Sequence, residues 1–139
     1  HAQFRRQRQM CIRDRSTAGL NGFPYRSPYS ASKWAIHGFM KTLAMEAGPF
    51  GIRANAIAPG CVEGARIEAV IEREALKKNT TPDVIRKAYK SGTSLQTFVD
   101  AQDIASMALF LASDQASRIS GQVIAVDGHT ENPGPKIHT

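Results

Sequence analysis

Tyr29 stands four residues before Lys33 in SPYSASKWAIHGF, residues 27–39, where a Pro- and Ser-rich stretch passes into a helix-like run. Positions four apart share one face of a helix, so a phenol and an ammonium can meet there. A phenol ionises near pH 10 in water and is a reluctant base at neutral pH. A nearby cation favours the phenolate. Bringing a phenol into the neutral range takes about 4 kcal/mol, more than one partly exposed lysine supplies. A helix N-terminus and a cationic ligand could add the rest. Such a pair can pass a proton to or from an alcohol oxygen. The spacing alone carries little weight in a chain with three tyrosines and seven lysines. The plainer alternative is a core tyrosine with a surface lysine lying along it.

Periodicity outlines the elements that must hold this pair. Ala31, Ala35, Phe39 and Leu43, flanked by Ile36, Met40 and Ala47, recur at helical spacing. They predict a helix from Pro28 or Tyr29 to Ala47, ended by GPFG at 48–51. So much apolar surface asks for cover on more than one side. IRANAIA, 52–58, stops at Pro59-Gly60 and predicts a short strand with a small, apolar interior. Residues 63–76 predict an amphipathic helix with Ile67, Val70, Ile71 and Ala75 on one stripe. Thr81 before Pro82 suits an N-cap and a first helical position. Asp100 with Asp103 three later suits a capping box opening a helix over 100–113. GQVIAVDG, 121–128, predicts another strand. Strands joined by long helical crossovers imply an α/β domain with a parallel sheet covered by helices. Two strands alone would make a poor sheet, so part of a larger domain is expected.

Composition narrows the class. The chain has 139 residues, 42% hydrophobic and 22% charged, which fits a globular protein rather than a disordered or membrane one. IASMALFLA, 104–112, is too short to cross a bilayer, and no secretory leader is evident, so a cytoplasmic location and no membrane partner are expected. Cys11 and Cys61 make neither a disulfide framework nor a metal-ligand pattern, and Cys61 reads as a small buried residue. His37 reads as a packing or interface residue, and His1, His129 and His138 suggest no metal site. The net charge is +6, but residues 1–15 hold five arginines and one aspartate, leaving +2 for the remainder. Only Phe4 is aromatic in this head and no nucleic-acid module follows it, so no nucleic-acid partner is expected. The head, HAQFRRQRQMCIRDR, has neither strand alternation nor a helical stripe. It reads as unstructured and as foreign to the gene.

Around the tyrosine–lysine pair, further motifs fall into a fixed order. Ser16-Thr-Ala-Gly comes first, then Tyr29-Ser-Ala-Ser-Lys33. Gly51-Ile-Arg-Ala-Asn-Ala-Ile-Ala-Pro59-Gly60 follows, and Ser120-Gly-Gln-Val-Ile-Ala-Val-Asp127-Gly128 closes the set. In this order and spacing, residues 16–128 resemble the short-chain dehydrogenase/reductase family. The resemblance implies the C-terminal part of a Rossmann-type doubly wound parallel sheet with helices on both faces, without its N-terminal half. It implies an oxidoreductase moving a hydride between NAD or NADP and a small-molecule carbonyl or secondary alcohol. Ser16 would hydrogen-bond the substrate oxygen, and Tyr29 would pass it a proton. Lys33 would stabilise the phenolate and hold the cofactor ribose. Pro59 and Gly60 would pass beside the nicotinamide, with the backbone of Val62 near its carboxamide. Residues from about 62 to 99 would cover the substrate, Glu63 and Arg66 shaping the pocket, and 129–139 would be a tail. The helix over 29–47 would pack against its copy in a homo-oligomer.

The sequence also departs from the family pattern. It contains no Gly-x-x-x-Gly-x-Gly or Gly-x-Gly-x-x-Gly turn for the pyrophosphate, and the residue that separates NAD from NADP is not readable. Neither Asn21 nor Asn55 matches the family's catalytic asparagine, and no threonine follows Pro59-Gly60 closely. The complete doubly wound fold would need a parent chain roughly twice as long. The alternative is a truncated, non-catalytic piece or an oligomerisation module of that fold.

Overall fold

The computed structural model describes residues 25–130 and the backbone of residues 9–12. Along the chain come β1 (Gln9–Ile12), α1 (Ser27–Ala47), β2 (Arg53–Pro59), α2 (Ala65–Lys77), α3 (Pro82–Ser91), α4 (Ala101–Ala112) and β3 (Val123–Val126). The strands form one parallel sheet in the order β1-β2-β3.

β2 is buried along its whole length, and its composition explains how. Ala54 and Ala56 point to one face, where they meet Met40, Leu43 and Ala44 of α1 together with Val123. Ile57 points to the other, where it meets Leu111 and Ala116 with Ile104, Met107, Ala108, Ile124 and Val126 around them. Side chains alternate across a strand, so α1 and α4 cover opposite faces. Alanines on the α1 side let helix and sheet approach closely.

The expected helices form where caps and periodicity put them. Pro28 occupies the first turn of α1, where a missing N–H costs nothing. The helix ends in a 3₁₀ turn, Gly48–Phe50, and Gly51 takes φ 73° to leave it, a conformation that suits glycine. The Thr81 hydroxyl accepts the Val84 N–H at 3.4 Å to open α3. The Asp103 carboxylate accepts the Asp100 N–H at 2.9 Å to close the capping box of α4. α2 and α3 build a second core from Ile71, Ala75, Ile85 and Phe98, against which Cys61, Ile67 and Tyr89 pack.

Two expectations need correction. The head does not lack structure throughout, because Gln9–Ile12 pairs with Arg53–Ala56 as β1. Four residues are too few to reveal a period, and the pairing is supplied by the edge of β2 rather than by the head's own pattern. α1 is also not covered on more than one side by the described residues. Met40 is buried, yet Trp34 is 51% exposed, Phe39 60% and Met45 80%. Among the described residues, no helix is long and apolar enough to cross a membrane.

Candidate active site

α1 returns antiparallel to the strands, because it connects the parallel pair β1 and β2. Met40 packs beside Ala54 and Ala56. Tyr29 lies eleven residues earlier, about 16 Å along the helix axis. That distance matches about five residues of strand, which reaches the level of Gly60. Along the helix axis, Tyr29 and Lys33 thus reach the level of the carboxyl end of β2. Open parallel α/β sheets bind their ligands outside this edge.

The pair itself is close. Lys33 Nζ lies 5.3 Å from the centroid of the Tyr29 ring, within the range at which an aromatic face attracts a cation. Tyr29 is 37% exposed. The Ser32 hydroxyl donates to the Tyr29 carbonyl at 2.7 Å, in the helix's first turn. Ser16 lies outside the described residues.

The chain leaving β2 is held tightly. Gly60 N–H donates to the Val126 carbonyl at 2.9 Å. A Cβ on Gly60 would come within 2.8 Å of both Cα and Cβ of Asp127. Glycine is therefore required here by the close approach of the turn after β3. Val62 pairs with Val99 in a parallel bridge. Val99 N–H donates to the Cys61 carbonyl and Glu63 N–H donates to the Val99 carbonyl, both at 2.9 Å. In a parallel ladder this pattern turns the N–H and C=O of Val62 itself to the opposite side. Burial pushes the Cys61 thiol up, which keeps it protonated.

Beyond this edge lies the α2–α3 pair. Glu63, expected to shape a pocket, sits 3.8 Å from Arg86, which also pairs with Glu68. Arg66 is exposed at the start of α2. Burial works against the charge of Glu74, but hydrogen bonds from Lys78 and Tyr89 hold its carboxyl below the usual carboxylate range. Burial, with the Glu74 carboxylate beside it, pushes the Tyr89 phenol well above its ordinary value. Among the described residues, no cluster of three or more His, Cys, Asp or Glu could hold a metal ion.

Sequence reasoning missed Asp127 as a structural determinant of this edge, and Arg53 and Asn55 as determinants of the opposite end of β2. Asp-Gly directly after a strand is a turn signal, and a buried carboxylate able to cap its own turn could have been expected from it.

A family model described as enoyl-(acyl carrier protein) reductase matches residues 5–129. The chain is 35% identical over 114 residues to D-beta-hydroxybutyrate dehydrogenase of Rhizobium meliloti, covering 81% of this chain and 44% of that one. Among solved structures it is similar to carveol dehydrogenase from Mycobacterium avium in complex with NAD. There the TM-score is 0.79 at 29% identity, with 90% of this chain and 46% of that chain covered. It is also similar to a variant of actinorhodin polyketide ketoreductase with NADPH, with a TM-score of 0.78 at 28% identity over 86% of this chain and 46% of that one. The chain spans about half the length, 44–49%, of the first curated relatives it matches.

Proposed function

The chain belongs to the short-chain dehydrogenase/reductase family of oxidoreductases, and on that premise we propose that it carries the proton-transfer half of an NAD- or NADP-dependent enzyme interconverting a carbonyl and a secondary alcohol. The observation that supports this most is the approach of Lys33 to the ring of a partly exposed Tyr29.

In reduction, Tyr29 gives its phenolic proton to the substrate oxygen as the carbonyl carbon gains a hydride and the C=O π bond opens. In oxidation, Tyr29 takes that proton back from the alcohol. Lys33 balances the phenolate left behind and would hold the cofactor ribose. Ser16 hydrogen-bonds the same substrate oxygen and steadies the charge that develops on it. A nicotinamide, when bound, supplies or accepts the hydride.

The residues present fit the nicotinamide end of such a cofactor. Tyr29 and Lys33 would form one wall, with Pro59 and Gly60, at the end of β2, beside the nicotinamide. The N–H and C=O of Val62, turned away from Val99, are the right groups to meet a carboxamide. Nothing among the described residues suits the pyrophosphate, since that end needs a glycine-rich turn opening a helix. The 139 residues alone are therefore expected to turn over no substrate. The α2–α3 pair would cover a small organic substrate.

The test uses the protein produced from its intact gene. NADH and NADPH are titrated by fluorescence, and nicotinamide absorbance is followed against sugar, steroid, acyl-thioester and simple ketones. Binding of one cofactor together with turnover of one class supports the reading. A protein that binds neither cofactor overturns it.

A second reading has its own observation. Trp34, Phe39 and Met45 leave a broad apolar strip of α1 exposed. Such strips mark association surfaces, and a second copy of the same helix is the occupant that fits a homo-oligomer.

A further inference from the structure

The turn after β3 touches both sides of the candidate site. Asp127 is buried, with 8% of its surface exposed. Its carboxylate accepts the His129 N–H at 2.9 Å on Oδ1 and the Thr130 N–H at 3.2 Å on Oδ2. The Thr130 hydroxyl donates to the Asp127 carbonyl at 3.2 Å. The turn needs this help, because Gly128 and His129 take φ 69° and 64° in succession, and His129 is not a glycine.

The same turn seizes the segment that returns from α3. Ser94 N–H donates to the His129 carbonyl at 3.1 Å, and Leu95 N–H to the Gly128 carbonyl at 3.2 Å. Thr93 and Thr130 form an antiparallel bridge. From there the chain passes through Phe98, buried in the core of the α2–α3 pair, to Val99, which brackets Val62. Gly60 meanwhile packs directly on Asp127. The contacts close a ring running from Asp127 to Gly60, Val62, Val99, Thr93, Thr130 and back.

We infer that Asp127 is a positioning residue: its carboxylate-closed turn fixes the backbone of residues 60–62 and the returning segment 93–99 as one rigid unit at the edge of the sheet. The inference rests on the proposed function only in so far as that backbone is the one meant to meet the nicotinamide. Removing the carboxylate frees the His129 and Thr130 N–H groups, and the left-handed turn loses the bonds that hold it. The Cα, Cβ and carbonyl of residue 127, on which Gly60 packs, are then no longer held in place, and the returning segment loses its anchor together with them.

The experiment is amide hydrogen exchange on the protein produced from its own gene, without cofactor, comparing wild type with Asp127→Ala and Asp127→Asn. Exchange at Glu63, Ser94, Leu95 and Val99 should accelerate at least tenfold in Asp127→Ala. Ala56, bonded to the Gln122 carbonyl within the sheet, should keep its protection. Asp127→Asn keeps one acceptor and the side-chain volume, so it should accelerate the same amides by less, and it carries the test if the alanine variant fails to fold. Unchanged exchange at those amides, or acceleration shared equally by Ala56, overturns the inference. In the cofactor-loaded enzyme, Asp127→Asn should raise the cofactor KM about tenfold with a smaller change in kcat; a fall in kcat alone counts against positioning. Failure of every form to bind NADH or NADPH would sink the proposed function while leaving the exchange result to decide the role of Asp127.

Discussion

Arg53 and Asn55, two residues apart on the same face of β2, converge on one acceptor, the carbonyl of Ile119. The Asn55 amide donates at 2.8 Å and the Arg53 guanidinium at 3.4 Å. Arg53 reaches the Ser113 carbonyl as well, at 3.3 Å, and Asn55 Oδ1 accepts the Gln122 N–H at 3.1 Å. Two buried polar side chains at the start of one strand thus decide where the chain leaving α4 turns into the next.

Asn55→Ala should therefore destabilise the protein by about 1–3 kcal/mol, because it removes the partner of the part-buried Gln122 N–H and weakens the satisfaction of the Ile119 carbonyl. Asn55→Asp should do little better: it keeps the acceptor for Gln122 but sets an oxygen against the Ile119 carbonyl. A shift of the urea midpoint at constant slope is the check.

Tyr29→Phe should lower kcat/KM of the intact enzyme by about 10²–10⁴-fold, the usual worth of a positioned acid or base. Cofactor affinity should change little, since the ring and Lys33 remain. Lys33→Met should lower turnover and weaken cofactor binding together. Steady-state kinetics beside a binding titration separate the two patterns. A Tyr29→Phe enzyme with unchanged turnover removes the proton-transfer role.

Glu74 and Tyr89 predict stability limits at both ends of the pH scale. The folded-state carboxyl of Glu74 is held low despite its burial, whereas an unfolded glutamate titrates near pH 4.3. Its stabilisation is present above about pH 4.3 and is lost as pH falls below that value through the folded pKa. The folded-state phenol of Tyr89 is raised, chiefly by burial. An unfolded tyrosine ionises near pH 10, so this contribution is present below about pH 10 and is lost as pH rises above it. Thermal melts across pH should fall on both sides of a plateau. Glu74→Gln should make the acid limb shallower, and Tyr89→Phe the alkaline one.

Trp34 is the chain's only tryptophan, stands on the exposed strip of α1 and stacks on His37 at 5.5 Å. If that strip meets a second copy, dilution should shift its emission to the red as the ring becomes wet. Phe39→Glu should produce the same red shift at all concentrations, with a smaller sedimentation coefficient. Emission and sedimentation that ignore both dilution and the substitution would count against association through α1.

The fold class is legible because each signal that carries it is local. Thr81-Pro82 and the Asp100–Asp103 pair mark helix starts by chemistry within a few residues, and the IRANAIA run ends at a turn that any reading finds. β1 is not legible, since QMCI lies among arginines and owes its conformation to a partner more than forty positions away. The apolar content of α1 reveals how much cover the helix wants but not what supplies it. That Tyr29 and Lys33 meet on one helix face is legible from their spacing. Asp127 is hidden, because its importance comes from Gly60 and from residues 93–95, which no local pattern joins to it.

The bridge between Val62 and Val99 has a consequence for how this scaffold can be varied. The stretch between those two residues is tied to the sheet edge at two places, by the bridge with its two hydrogen bonds of 2.9 Å and by the bonds of Ser94 and Leu95 to the turn after β3. Its apolar residues Ile71, Ala75, Ile85 and Phe98 pack chiefly on one another. Residues 64–92 can thus be exchanged as a cassette, with inserts of other lengths grafted between the bridge at Val62 and the anchor at Thr93, while the sheet keeps its place.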